Sequence, residues 1–230
     1  MKRSHSHTLI AVGAALSASA VGAAVALTRD ERADPALPLA PLATAGELRR
    51  APAAGEPGPE GVPIPRAPAL APPRPLRVGE QIDGIACEAN EQAAFHIHAH
   101  VRIIVRGRPR QVPAGVGVAS PYEVEPTPSG PFVAGAPCFM WLHTHAADGV
   151  VHIESPVERT YTLGELFDLW GQPLTRRRVG PARGTVTALF DERVFTGNPR
   201  TIPLLAHSRI ELEVGRPLVE PDTVGFPSGL

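Results

Sequence analysis

From Phe95 to Val105 the chain alternates without interruption: His96, His98, His100 and Arg102 share one parity, and Phe95, Ile97, Ala99, Val101 and Ile103 share the other. Period-two alternation over so long a run predicts a β-strand with one polar and one apolar face. The segments from Phe139 to His145 and from Val150 to Glu154 alternate in the same way and predict a hairpin through Ala146-Ala147-Asp148-Gly149, since Asp-Gly between β-prone runs favours a tight turn. Shorter strands are expected at Gln111 to Val118, Gly184 to Phe190 and Arg209 to Val214. One stretch changes period. Thr162 and Glu165 form a capping box, Tyr161 and Leu166 occupy the staple positions, and Leu163, Leu166, Phe167 and Trp170 lie on one helical face before Gly171 and Pro173. The pattern predicts a mainly β (α+β) domain over 79–230, an antiparallel sheet arranged as a sandwich or barrel, with one short amphipathic helix near 163–170.

Upstream of that domain the pattern fades. Lys2 and Arg3 precede an uncharged run from Thr8 to Leu27, which contains the small-x-small triplet Ala18-Ser19-Ala20. Residues 1–27 are therefore expected to be a signal peptide or an N-terminal membrane anchor, leaving the rest of the chain extracytoplasmic, secreted or anchored. The chain holds 27 Pro and 22 Gly, too many for one compact domain, and their density over 28–78 predicts a Pro/Ala-rich disordered linker. A formal net charge of -1 gives no electrostatic reason to expect nucleic acid as a partner, and membrane contact is expected only through the N-terminal segment.

The chemistry lies in the histidines. Seven of the nine fall within the domain, six of them in two clusters. His96, His98 and His100 share a strand face, as do His143 and His145. The turn decides what faces them. A two-residue turn sets His152 opposite His145 and Glu154 opposite His143; a four-residue loop sets His152 opposite His143; a three-residue loop with a bulge sends His152 to the other face. Directly paired residues have Cβ atoms about 4.5–5.5 Å apart, close enough for two imidazoles to share a cation, and a cation relieves the cost of crowding polar rings in a half-buried face.

The expected ligands are His96, His98, His100, His143, His145, His152 and Glu154 around a divalent transition metal, zinc or copper, in one site or two. If the two clusters meet, Ile97, Ala99 and Val101 pack the core with Leu142, Val151 and Ile153. Glu154 is also the candidate general base of a metal-dependent hydrolase or redox enzyme; a third reading is an interaction module whose histidines sense pH. His207 reads as structural. Cys87 and Cys138 are expected to form a disulfide outside the cytoplasm, worth about 4 kcal/mol by loop closure; as thiolate and thioether, Cys138 and Met140 would instead favour copper. No His-Glu-x-x-His, Gly-x-Ser-x-Gly, P-loop or dinucleotide fingerprint occurs.

Three runs carry a resemblance. They are Cys138-Phe139-Met140-Trp141-Leu142-His143-Thr144-His145 with Asp148-Gly149 and His152-Ile153-Glu154-Ser155-Pro156, the helix segment from Leu163 to Leu174, and the ending Phe226-Pro227-Ser228-Gly229-Leu230. Together they resemble an uncharacterised family of secreted or membrane-anchored bacterial proteins, over about Ile82 to Leu230. The resemblance implies an extracytoplasmic location and brings no established activity. The cupin pattern differs, because there the Glu follows the second His after three or four residues, whereas Glu154 lies nine beyond His145 with His152 between.

Overall fold

A computed structural model describes residues 36–221 and 223–230, of which 37–230 belong to one compact unit. The expected signal or anchor segment lies outside the described residues. Among the described residues no helix is long and apolar enough to cross a membrane.

One sheet organises the domain. Its strands are β1 (Leu39–Ala40), β2 (Phe95–Val105), β3 (Arg108–Arg110), β4 (Leu142–His143), β5 (Val150–Ser155), β6 (Val186–Phe190), β7 (Arg193–Phe195) and β8 (Arg209–Val214). Across the sheet they run β1-β7-β6-β8-β2-β5-β4, with β3 beside the C-terminal part of β2. All pairs are antiparallel except β8 against β2. The sheet is mixed and open, with β1 and β4 at opposite edges, so the barrel alternative does not hold. The expected strand from Gln111 to Val118 is reduced to isolated bridges, Gln111 to Ala69 and Val118 to Phe139. Pro113 supplies no backbone donor, and Gly115 and Gly117 turn the chain through positive φ.

Register sorts every strand into two faces. Ile210 pairs with Val101 and Leu212 with Ile103, Ala188 with Leu212 and Phe190 with Ile210, Val151 with Ala99 and Ile153 with Ile97, and Leu142 with Ile153. Nearly all of these are buried in one core cluster, and Ile97 packs against it. Helix α1 (Leu163–Trp170) adds Leu163, Leu166, Phe167, Leu169 and Trp170 to the same core. Its capping box is formed: the Thr162 side chain accepts from the Glu165 N–H, the Glu165 carboxylate accepts from the Thr162 N–H, and Gly171 closes the helix in the left-handed region. The opposite sheet face carries His96, His98, His100 and Arg102 on β2, His152 and Glu154 on β5, His143 on β4, and Glu211 and Glu213 on β8. Most of these polar residues are buried as well.

What buries them corrects the expectation of a disordered linker over 28–78. From Leu37 onward that segment belongs to the compact unit. Leu39–Ala40 extends the sheet beside β7, and Leu48–Arg49 pairs in parallel with Leu218–Val219. Val62 is fully buried against Val150 and Val224. Leu70 and Leu76 join the main core, the Leu70 N–H donates to the Gln111 carbonyl, and Trp170 Nε1 donates to the Pro72 carbonyl. Prolines fix extended backbone in advance, and single apolar side chains at irregular intervals seat it. The segment therefore has no period to read, yet it lies fixed against both the main core and Val150.

Buried charge on the polar face has a measurable consequence. Glu213 accepts from the Val219 N–H at 3.0 and 3.2 Å, while burial and the neighbouring Glu211 charge push its carboxyl up to about 7. A carboxyl held above its unfolded value stabilises the fold fully below about pH 4.5, and that contribution is lost as pH rises to about 7. Relative to Glu213→Gln, the wild-type protein should lose stability between about pH 4.5 and 7 and then stay at a constant deficit. Urea melts of both proteins at pH 5 and 8 measure this; an equal gap at both pH values would contradict it.

Candidate metal centre

The centre is built on the pairing of three adjacent strands. His152 on β5 stands opposite His98 on β2 and opposite His143 on β4, and Glu154 stands opposite His96. Of the three turn readings, this is the register of the four-residue loop. His145 lies past the β4 ladder, where the chain turns away because the Thr144 N–H donates to the Val116 carbonyl and Thr144 Oγ1 donates to that of Pro113. Its ring nonetheless returns to the cluster, 4.5 Å from the His152 ring between centroids.

Two donor groups result. In the first, His96 Nε2 lies 3.0 Å from His98 Nε2, His98 Nε2 lies 3.1 Å from His152 Nδ1, and Glu154 Oε1 lies 3.1 Å from His96 Nε2 and 3.2 Å from His152 Nδ1. In the second, His143 Nε2 lies 3.0 Å from His145 Nε2, and Glu91 Oε1 lies 3.6 and 3.3 Å from them. The groups adjoin. His152 has a ligand atom within 4.8 Å of those of His143 and His145, and Glu154 one within 4.8 Å of those of Glu91 and His143. The first group could hold a metal ion, as could His143 and His145 with His152, or Glu91 and His143 with Glu154.

The remaining ring nitrogens are oriented from outside. A backbone carbonyl only accepts, so His143 Nδ1 donates to the Met140 carbonyl at 2.9 Å and His145 Nδ1 to the Val133 carbonyl at 2.5 Å. Both Nε2 lone pairs are thereby turned inward. Phe132 stacks on the His145 ring, with centroids 4.6 Å apart. His152 Nε2 donates to Glu60 Oε1 at 2.6 Å, an imidazole–carboxylate pairing of the kind that fixes ring orientation around metals. Behind Glu60 sits Asp148, also buried. Burial and the Glu60 charge push the Asp148 carboxyl up to about 8, so it is neutral at pH 7 and leaves the Glu60 charge to His152.

The electrostatics follow burial and neighbours. Burial, then the charges of adjacent imidazoles, lowers His98 and His145 to about 4. Burial opposes charge on His152 too, but hydrogen bonds to Glu154 and Glu60 outweigh it and raise the imidazole to about 9. Burial alone would raise Glu154; the His152 hydrogen bond and the charges on His143, His152 and His96 hold it at about 2.

Six of the seven expected residues come together. His100 does not. It is paired with Val150 on β5 and Arg209 on β8, and its Nε2 lies 3.0 Å from the Asp148 carbonyl. Cys87 and Cys138 are bonded, with Cα atoms 5.3 Å apart, which removes Cys138 as a thiolate ligand. The main-chain group that Met140 presents to the centre is its carbonyl. His207, expected to be structural, contacts the Leu230 carbonyl and stacks on Phe226. Sequence reading missed Glu60 and Glu91. Glu60 lies among prolines and glycines and Glu91 in Glu88-Ala89-Asn90-Glu91; neither position carries a period or a spacing that marks it. Set against known protein families, curated proteins and solved structures, the chain matches none.

The hairpin that presents these groups depends on Gly149. Its φ is +91°, and a Cβ there would meet the Val101 carbonyl oxygen at 2.4 Å and His100 Nε2 at 3.1 Å. Gly149→Ala should therefore destabilise the protein by on the order of 2 kcal/mol or more, from backbone strain and backbone collision together. Chemical denaturation measures the loss, and a cost below the few tenths of a kcal/mol typical of surface changes would contradict this account.

Proposed function

We propose that the protein binds a divalent transition metal, zinc or copper, through His96, His98, His152 and Glu154, and that it captures or handles this ion outside the cytoplasm. One observation carries the reading. A tetrahedral ion with bonds of about 2.0–2.1 Å has ligand atoms about 3.3 Å apart, and four of the separations within this group are 3.0–3.2 Å. His98 Nε2 adjoins two imidazole nitrogens and has at most one proton to offer them; a cation would satisfy all of them together.

Four protein donors fill a tetrahedral shell and leave no open position, which favours holding an ion over activating a substrate. Imidazole and carboxylate suit zinc or copper(II), and the loss of the Cys138 thiolate to the disulfide weakens the case for a soft copper(I) site. The Cys87–Cys138 bond supports an oxidising compartment, in line with the expected secretion signal.

Elemental analysis of protein made without a histidine tag tests the reading; metal-free protein with no measurable affinity for zinc or copper would refute it. Competition titration against a chelating dye separates the ligands. Glu60→Gln should weaken zinc binding about 10–100-fold by releasing the His152 ring. His98→Ala should weaken it further, while His100→Ala leaves it unchanged. Equal losses in the His98 and His100 variants would overturn the assignment.

A further inference from the structure

The three acceptors of the other donor group are not used by that ion. We infer that His143 Nε2, His145 Nε2 and Glu91 Oε1 hold a second metal ion, making the centre binuclear, with the Glu154 carboxylate as the side chain common to both halves. The inference rests on the reading that the His96 group binds the first ion, and it adds a ligand, Glu91, and a stoichiometry.

The argument begins with protons. His143 Nδ1 and His145 Nδ1 are committed to the carbonyls of Met140 and Val133. In the neutral rings both Nε2 atoms are then lone pairs, and they face each other at 3.0 Å with neither ring more than slightly exposed. The nearest carboxylate oxygen, Glu91 Oε1 at 3.3 and 3.6 Å, is a third acceptor. With both rings neutral, three lone-pair atoms converge. Burying such a set costs free energy, and a divalent cation accepts all three lone pairs at once. Two imidazoles and a carboxylate with edges of 3.0, 3.3 and 3.6 Å form a triangular face that leaves a fourth position free.

The placement of the two groups supplies that fourth ligand. Glu154 reaches Glu91 and His143, within 4.8 Å between ligand atoms, whereas both His152 nitrogens are already engaged, by Glu60 and by the first group. A shared carboxylate suits paired ions at the spacing of two-metal sites, about 3.5–4 Å.

The test is a count. Full-length protein titrated with zinc, and separately with copper(II), should take up two ions per chain. His143→Ala/His145→Ala should take up one fewer. Glu91→Gln should lower the second affinity with the fold intact, since that side chain is substantially exposed. His96→Ala/His98→Ala should also lose one ion, and counting by difference cancels ions held elsewhere on the chain. Copper provides an independent readout: two copper(II) ions this close couple magnetically, so the wild-type spectrum should lose ordinary signal that His143→Ala/His145→Ala regains. One ion per chain in the wild type, abolished by His98→Ala, would overturn the second site and leave the first. Uptake unchanged by His143→Ala/His145→Ala and Glu91→Gln would also overturn it. No uptake at all would overturn both.

Discussion

The His152 side chain is the point on which the centre turns. It stands in the middle of three paired strands, with His98 on one side and His143 on the other. One ring nitrogen faces Glu60 and the other faces His98 and Glu154. A buried ring flanked by two carboxylates is tolerable only if its charge and protons are matched on both sides. The Glu60 carboxylate does so from outside the sheet, and the neutral Asp148 behind it keeps that corner from carrying a surplus negative charge. Remove the pairing and neither the ring orientation nor the convergence of the six neighbouring groups has a cause.

The sheet separates two environments with different requirements. On one side aliphatic and aromatic groups from six strands of the sheet and the helix pack together. On the other, histidines and carboxylates are covered by the turn carrying Glu60 and Val62, the loop carrying Glu91, and a separate hairpin, Glu123–Thr127 with Gly130–Gly135, whose Phe132 and Val133 contact His145. They supply carbonyls and carboxylates aimed at particular ring nitrogens. The disulfide tethers two of these pieces, since Cys87 lies four residues before Glu91 and Cys138 five before His143.

Where a pattern has a period, the sequence reports it. The alternation from Phe95 to Val105, the strand from Arg209 to Val214 and the helix with its capping box correspond to elements with the same bounds. The partition of histidines and aliphatics onto opposite faces was equally legible, because it follows from alternation alone. Partner identity was not. Whether His152 meets His143 or His145 depends on loop geometry that Asp-Gly does not specify, and Thr144, a residue with no distinguishing pattern, settles it by leaving the ladder. His100 obeys the alternation yet is set apart because its cross-strand neighbours are Val150 and Arg209 rather than another ligand. The proline-rich segment misled for a physical reason: composition measures the cost of regular structure, while this segment is held by single side chains in prepared seats. Its Glu60 was therefore invisible.

The alternation on the Phe95–Val105 strand also bears on the fidelity of folding. A strand exposed on one side tolerates a slipped pairing, because misplaced side chains can still reach water. Here both sides are enclosed, so a slip of one residue against Val150–Ser155 would drive Ile97 and Ala99 into the layer of rings and carboxylates and press His96 and His98 into the aliphatic core. Each error would incur desolvation twice, once for the stranded imidazoles and once for the carboxylates they abandon. The same residues that gather into a site thus act as a check on assembly: only one alignment of the two strands closes both layers.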